Sequence, residues 1–304
     1  MNRLVAIVGP TAVGKSRLAL HLAQDFNGEI VSADSRQVYR HMDIGTAKTG
    51  RQELSLVSHH LVDITNPDED FSLAQYQQLA YKAIDDIQQR NKLALLVGGS
   101  GLYVWSVLEG WGIPQVPPDP EFRRSLNEKV ARGETDELYQ ELMKVDPVAA
   151  RSVDRRNVRR LIRALEVYRY AGTPFSELQR KKPPPFNALI VGLTADRAEV
   201  YRRVDLRVDE MIERGLVEEV RKLENMGYDF NLPAMSGIGY KQIGMFLRGE
   251  LTLATAIQQI KFETHRFVRH QYNWFRLKDK RIQWFDIRGE VESEIRELVG
   301  GFIS

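Results

Sequence analysis

Gly9-Pro10-Thr11-Ala12-Val13-Gly14-Lys15-Ser16 follows an apolar run, Leu4 to Val8, and precedes a spacing of Leu18, Ala19 and Leu22 that reads as helix. Strand, G-x-x-x-x-G-K-[ST], helix is the setting of a phosphate-binding loop. Glycines let the backbone wrap a di- or triphosphate, amide N–H groups converge on the anionic oxygens, and the helix N-terminus adds partial positive charge. Lys15 supplies a mobile full charge, and the Ser16 hydroxyl is placed to ligate Mg²⁺. The flanking strand and helix separate this octet from an ordinary glycine-containing turn. A phosphate-bearing ligand is expected on Gly9 to Ser16.

At 304 residues the chain has room for about two domains. Its net charge of +2 is too small to announce a nucleic-acid partner, so any such case rests on where the charge lies. The absence of cysteine excludes disulfides, thiolate chemistry and a cysteine-ligated zinc site. The first residues run directly into a strand without a cationic leader, and no apolar stretch has the length of a membrane span. A soluble, cytoplasmic, monomeric protein is expected.

Beyond the loop, Glu29 to Ala33 reads as a strand ending at Asp34-Ser35-Arg36-Gln37-Val38-Tyr39. Polar residues at the C-terminal end of an α/β strand fall on the ligand-binding edge, so Asp34 either faces the bound group or caps a helix. His60 to Ile64 predicts another strand. Ser72 opens a helix through a capping box with Gln75, its core face formed by Leu73, Tyr76, Ala80, Ala83 or Ile84, and Ile87. The buried strand Lys92 to Val97 ends in Gly98-Gly99-Ser100-Gly101-Leu102-Tyr103. Strands beside a nucleotide-hydrolysing site commonly end in an acid holding Mg²⁺. This one ends in glycines, which argues against an ATPase, although Asp63 could substitute.

Residues 116–185 read as a helical insertion bounded by proline groups, Pro114 to Pro120 and Pro183 to Pro185. Within it, helices are expected over Pro120 to Ala131 and Thr135 to Lys144. Arg151, Arg155, Arg156, Arg159, Arg160 and Arg163 form either a solvated face or a phosphate-tracking surface. The strand Ala188 to Leu193 returns to the sheet and leads into a long helix carrying Arg203, Arg207 and Arg214. These either pair with that helix's own acids (Asp205, Glu210, Glu213) or reach the loop's phosphate. A glycine-punctuated loop, Leu232 to Lys241, precedes a helix from Leu253 to Arg276. That helix's core face is expected at Ile257, Ile260, Thr264, Phe267, Gln271 and Trp274. Another face carries Lys261, His265, Arg269, Tyr272 and Arg276, a stripe either solvated or suited to RNA. Gln283 to Phe285 predicts the last strand, before a C-terminal helix.

Together these pieces resemble the bacterial tRNA dimethylallyltransferases (tRNA isopentenyltransferases). Beyond the loop octet, the resemblance is carried by Ser32 to Tyr39, Met42-Asp43-Ile44-Gly45-Thr46-Ala47-Lys48 and Gly98 to Tyr103. It continues through Arg163-Ala164-Leu165-Glu166-Val167, Gly239-Tyr240-Lys241-Gln242 and Trp274-Phe275-Arg276. It implies an α/β fold: a P-loop NTPase-like core with a mostly parallel sheet over 1–115 and 186–304, and an all-helical tRNA-binding insertion over 116–185. It also implies dimethylallyl transfer from dimethylallyl diphosphate to the N6 amine of the adenosine just 3′ of the anticodon, in tRNAs reading codons that begin with U. The loop would then cradle a diphosphate leaving group with Mg²⁺. By position Asp34, Arg207 and Thr11 match catalytic residues: Asp34 to accept the amine's proton, Arg207 to stabilise the departing diphosphate. Asp34, Ser35, Arg36, Gln37, Ser100, Arg123, Arg159, Arg160, Arg163 and Ser236-Gly237-Ile238-Gly239-Tyr240-Lys241 match tRNA-contacting segments, to which the basic stripe adds Arg269. Ser100 replaces the threonine commonest at its position and keeps the hydroxyl. The target base must leave its stack to meet the isoprenoid. The alternative that the loop and sheet alone would suggest is a P-loop small-molecule kinase; a further one is a non-catalytic RNA-binding protein.

Overall fold

The computed structural model describes residues 2–304. The chain divides into two compact units, one of Met1–Leu108 joined to Pro185–Ser304, the other of Glu109–Pro184. Unit 1 opens with β1 (Arg3–Val8), α1 (Lys15–Asp25), β2 (Gly28–Ser32) and α2 (Arg51–Leu56). It continues through β3 (His59–His60), α3 (Leu73–Gln89), β4 (Leu93–Val97) and α4 (Gly101–Leu108). Unit 2 holds α5 (Pro120–Ala131), α6 (Thr135–Val145), α7 (Pro147–Ser152), α8 (Val158–Ala171) and α9 (Phe175–Leu178). Unit 1 resumes with β5 (Asn187–Thr194), α10 (Arg197–Glu213), α11 (Leu216–Asn225) and α12 (Tyr240–Leu247). It closes with α13 (Leu253–Trp274), β6 (Ile282–Asp286) and α14 (Val291–Ile303).

The strands form one six-stranded sheet in the order β3-β2-β4-β1-β5-β6, with every pairing parallel. This is a P-loop NTPase-like fold. Its strands are apolar without alternation because helices cover both faces, and Leu4 to Val8 are completely buried. Parallel strands put all their C-terminal ends on one edge. The connection after β1 leads to one side of it and β5 lies on the other, so the crevice for a ligand opens beside β1.

The expected capping box is present. Ser72 Oγ accepts from the Gln75 N–H at 3.2 Å and Gln75 Oε1 accepts from the Ser72 N–H at 2.8 Å, with Tyr76, Ala80, Ile84 and Ile87 turned inward. Two expectations are corrected. The strand proposed over His60 to Ile64 is only His59–His60, because Leu61 and Asp63 adopt positive φ (63° and 55°), which breaks a ladder. The N–H groups of Asp63 and Ile64 go instead to the carbonyls of Gln37 and Val38. On α13 the buried residues are Ala256, Ile260, Val268 and Gln271, whereas Phe267 and Trp274 are 40% and 37% exposed. Small side chains are what let a neighbouring helix approach.

Unit 2 has its own core, built on Leu126, Leu138, Leu142, Leu161 and Leu165. Its polar strut is Glu166, fully buried, which accepts from the Asp119 N–H (2.8 Å), from Arg123 Nε and Nη2 (2.8 Å each) and from Arg163 Nη1 (2.6 Å). Burial pushes the Glu166 carboxyl up, but the Arg123 guanidinium, the Asp119 N–H and Arg163 together hold it below the usual carboxylate range. Arg163 also donates to the carbonyls of Pro114 and Val116, fastening the proline-rich entry segment to α8.

Glu166→Ala is expected to destabilise unit 2 by about 2 kcal/mol, less than the ~3–5 kcal/mol of a fully enclosed pair because water reaches Arg123. Urea unfolding followed by circular dichroism measures it. A change under about 0.5 kcal/mol, the scale of an exposed pair, would show that the guanidiniums simply rehydrate.

Candidate active site

The loop after β1 turns through Gly9 (φ 135°), Ala12 (φ 67°) and Gly14 (φ 88°), and α1 starts at Lys15. At Gly9 a Cβ would lie 2.3 Å from the Leu193 carbonyl oxygen, so only glycine lets the loop leave the sheet this close to β5. The loop after β4 has the same constraint. A Cβ at Gly98 would stand 2.1 Å from the Ala33 carbonyl oxygen. The ends of β1, β2 and β4 are thereby drawn together at one edge.

Lys15 Nζ folds back to donate to the Pro10 carbonyl at 2.6 Å. Burial and then the nearby Arg207 cation lower its pKa to about 7, against the opposing pull of the Asp34 carboxylate. Arg207 lies on the inward side of α10 and donates from Nη1 to Thr11 Oγ1 at 3.2 Å; burial lowers its pKa, opposed by Glu210. Thr11, Lys15, Arg207 and Asp34 thus form one electrostatic group. The Ser16 hydroxyl is exposed on the first turn of α1 and makes no hydrogen bond among the described residues. A cavity of about 820 Å³ flanks the loop, lined by Ala12, Val13, Gly14, Leu193, Arg203 and Arg207 among others, while Asp34 lies outside it.

Asp34 begins a turn, not a helix, so the capping alternative is set aside. Its Oδ1 accepts from the Arg36 N–H at 2.8 Å, and Oδ2 has no hydrogen-bond partner among the described residues. Ser100 Oγ accepts from the Ser35 N–H at 3.0 Å and lies 3.2 Å from Ser35 Oγ. Arg36 reaches the carbonyls of Pro233 and Ala234 (2.8 and 3.2 Å) and Ser236 Oγ (3.5 Å). Gln37 donates to the carbonyls of Thr46 and Ala47 and lies 3.1 Å from Ser32 Oγ. The matched segments 34–37, 42–48 and 98–103 are therefore physically joined to one another and, through Pro233, Ala234 and Ser236, to the start of the 236–241 segment.

Other candidates are placed differently. Tyr240 is buried and donates to Glu219 Oε1 at 2.6 Å, so its side chain supports the Gly45 turn and reaches no surface. Gly237 and Gly239 are buried, Ile238 is half-buried, and Ser236 and Lys241 are exposed. In unit 2, Arg159 and Arg160 are exposed and their guanidiniums pair with no acid among the described residues, whereas Arg123 and Arg163 are committed to Glu166. Asp63 is taken by Lys48 at 2.5 Å. The α10 acids do not pair as expected: Asp205 meets His265 at 2.8 Å, Asp209 meets Lys261 at 2.7 Å, and Arg203 turns to Glu199 at 2.6 Å. Tyr272 bonds to Thr194 at 2.8 Å, and the exposed Arg269 donates to Tyr201 Oη at 2.9 Å. Lys261, His265 and Arg269 of the stripe are consequently engaged by groups of α10, and Tyr272 by β5.

Two participants went unnoticed as polar partners. Glu219 of α11 accepts from the Asp43, Ile44 and Gly45 N–H groups at 3.0, 2.7 and 3.1 Å. Gln271 of α13, 3% exposed, accepts from the Thr11 N–H at 2.9 Å and donates to the Gly99 carbonyl at 3.1 Å. A glutamine inside an apolar stripe was the available signal, since a buried amide must find partners.

The architecture is that of a P-loop α/β protein whose cationic cradle confronts a carboxylate at a topological switch point. Residues 37–278 match the family described as IPP transferase. The tRNA dimethylallyltransferase of Dehalococcoides mccartyi is 49% identical over 99% of this chain and 93% of its own length. That of Chloroflexus aggregans is 52% identical over 91% and 93%. Among solved structures, the full-length tRNA isopentenylpyrophosphate transferase of Bacillus halodurans aligns with TM-score 0.73 and 40% identity, covering 99% of this chain and 96% of that one. A eukaryotic dimethylallyltransferase acting on tRNA aligns with TM-score 0.82 and 26% identity, covering 98% and 78%. The chain belongs to the IPP transferase family.

With the Lys15 pKa at about 7, the empty site holds a largely neutral amine at pH 8, and a bound diphosphate monoester should restore the proton. Binding is therefore expected to take up close to one proton at pH 8 and to weaken as pH rises from about 7 to 9, by up to about tenfold per unit. Calorimetry in buffers of different ionisation enthalpy reads the uptake. Zero uptake would remove Lys15 from contact with the phosphates.

Proposed function

We propose that this chain transfers the dimethylallyl group of dimethylallyl diphosphate to N6 of the adenosine immediately 3′ of the anticodon, in tRNAs reading codons that begin with U. The observation that carries the reading is the juxtaposition of Lys15, Arg207 and the loop amides with an aspartate, Asp34, one of whose oxygens is anchored and the other free. Names of close relatives support isoprenoid transfer to tRNA and lend nothing to the kinase alternative.

In the reaction the allylic C–O bond to diphosphate breaks and a C–N bond to N6 forms. The N6 proton passes to Asp34 Oδ2, and the electron pair leaves with the diphosphate. An adenine amine is weakly nucleophilic, so alignment against the allylic carbon matters as much as basicity. Anchoring Oδ1 on the Arg36 N–H fixes the direction in which Oδ2 points. Lys15, Arg207 and the loop amides oppose the charge that grows on the leaving group, and Thr11 holds Arg207 in place. Mg²⁺ would add charge neutralisation at the phosphates. Among the described residues no cluster of three or more acids or histidines could cage a metal. The free Ser16 hydroxyl instead suits a cation that arrives with diphosphate, since Mg²⁺ keeps few protein ligands beside phosphate and water. The target base must be extruded to reach Asp34. The exposed Arg159 and Arg160 of unit 2 fit the tRNA backbone. No helix among the described residues is long and apolar enough to cross a membrane, which agrees with work on tRNA in the cytoplasm.

Labelled transfer from dimethylallyl diphosphate to an unmodified anticodon stem-loop tests the reading. Asp34→Ala should lower turnover by about 10²–10⁴-fold, the usual worth of a general base, with tRNA affinity retained. A near-normal rate removes Asp34 from the mechanism, and ATP consumption without labelled RNA would restore the kinase. Arg159→Ala combined with Arg160→Ala should weaken tRNA binding and reduce the slope of log K against log[salt] by about 2. An unchanged slope would make these arginines an ordinary solvated surface.

A further inference from the structure

Gln271 lies on the buried face of α13, 3% exposed, yet both ends of its amide are used on the ligand-binding edge of the sheet. Its Oε1 accepts the Thr11 N–H at 2.9 Å, and its Nε2 donates to the Gly99 carbonyl at 3.1 Å. These partners lie 260 and 172 residues away in sequence. A Cβ on Gly99 would stand 2.2 Å from that Nε2, so Gly99 is bare where the amide passes. We propose that Gln271 is a positioning residue of the transfer reaction, the clasp that sets the Thr11 end of the phosphate loop against the turn after β4.

The proposal rests on the function stated above and adds one component to it. Thr11 Oγ1 accepts from Arg207, so the backbone orientation of Thr11 decides where that guanidinium stands over the leaving group. The turn after β4 carries Ser100, which holds the Ser35 backbone one residue from Asp34. One amide therefore ties the cationic side of the site to the carboxylate side. Only a side chain that accepts at one end and donates at the other satisfies both neighbours. A misplacement of about 1 Å between reacting groups is enough to cost on the order of 10²-fold in rate.

Two variants separate positioning from mere packing. Gln271→Met keeps length and apolar bulk but makes neither hydrogen bond. Its kcat should fall by tenfold or more, on the order of 10²-fold at most, at every pH, with the tRNA Kd close to wild type and only the modest drop in unfolding midpoint that two unpaired backbone groups bring. In Gln271→Glu the carboxylate accepts from Thr11 but confronts the Gly99 carbonyl with no proton to give. The protonated acid restores the donor, and burial favours protonation. The ratio of its kcat to the wild-type kcat should therefore rise as pH falls from 8 to 6. Taking the ratio at each pH cancels the titration of Lys15, which shares the site with Asp34 and Arg207 in both proteins. A ratio independent of pH, a Gln271→Met kcat within twofold of wild type, or a loss matched by equal loss of stability would overturn the proposal. Absence of transfer by the wild-type chain itself would overturn the functional reading instead, so the two failures are distinguishable.

Discussion

No side chain can stand at Gly9 or Gly98, because the carbonyl oxygens of Leu193 and Ala33 already occupy that space. This contact between backbones is the constraint on which the site depends. It pulls the exits of β1, β2 and β4 inward until a loop of amide donors and a carboxylate share one edge. A methyl group at either position would force the loops apart and separate the groups that must meet over one carbon atom. The sheet supplies the rigidity for this. β1 is hydrogen-bonded on both sides and completely buried from Leu4 to Val8, so strain at its exit has nowhere to relax.

Two cations held together without a full complement of anions are electrostatically costly. Lys15 responds by losing much of its hold on its proton, and Arg207 rests on a neutral hydroxyl instead of a carboxylate. On the proposed reading a diphosphate would relieve both costs at once, and binding energy would be concentrated where the leaving group's charge develops. Two acids of α10 are withheld from this duty, whereas Glu210 favours the charge on Arg207. Asp205 and Asp209 face α13 and pair with His265 and Lys261, so they do not quench the cradle.

Local chemistry made much of this legible in advance. The octet at Gly9 to Ser16, the capping box at Ser72 and the apolar runs of β1, β4 and β5 are specified by neighbours in sequence, and they stand where expected. Long-range partner choice was not legible. That Arg163 also takes two linker carbonyls, and that Arg123 of α5 joins it on Glu166, follows from how those segments pack on α8. Arg269, Lys261 and His265 looked like a solvated or RNA-facing stripe because the groups that meet them, the Tyr201 hydroxyl, Asp209 and Asp205, lie on another helix. The strand after His60 failed at single residues with positive φ, for which Leu61 gives no compositional warning.

Glu219 offers its carboxylate to the amides of Asp43, Ile44 and Gly45, a concavity of the kind that elsewhere receives phosphate. Within unit 1 a second anion hole is thus present but permanently plugged by the protein's own acid. The Glu219 carboxylate already satisfies all three donors, so any other anion would have to displace it to enter.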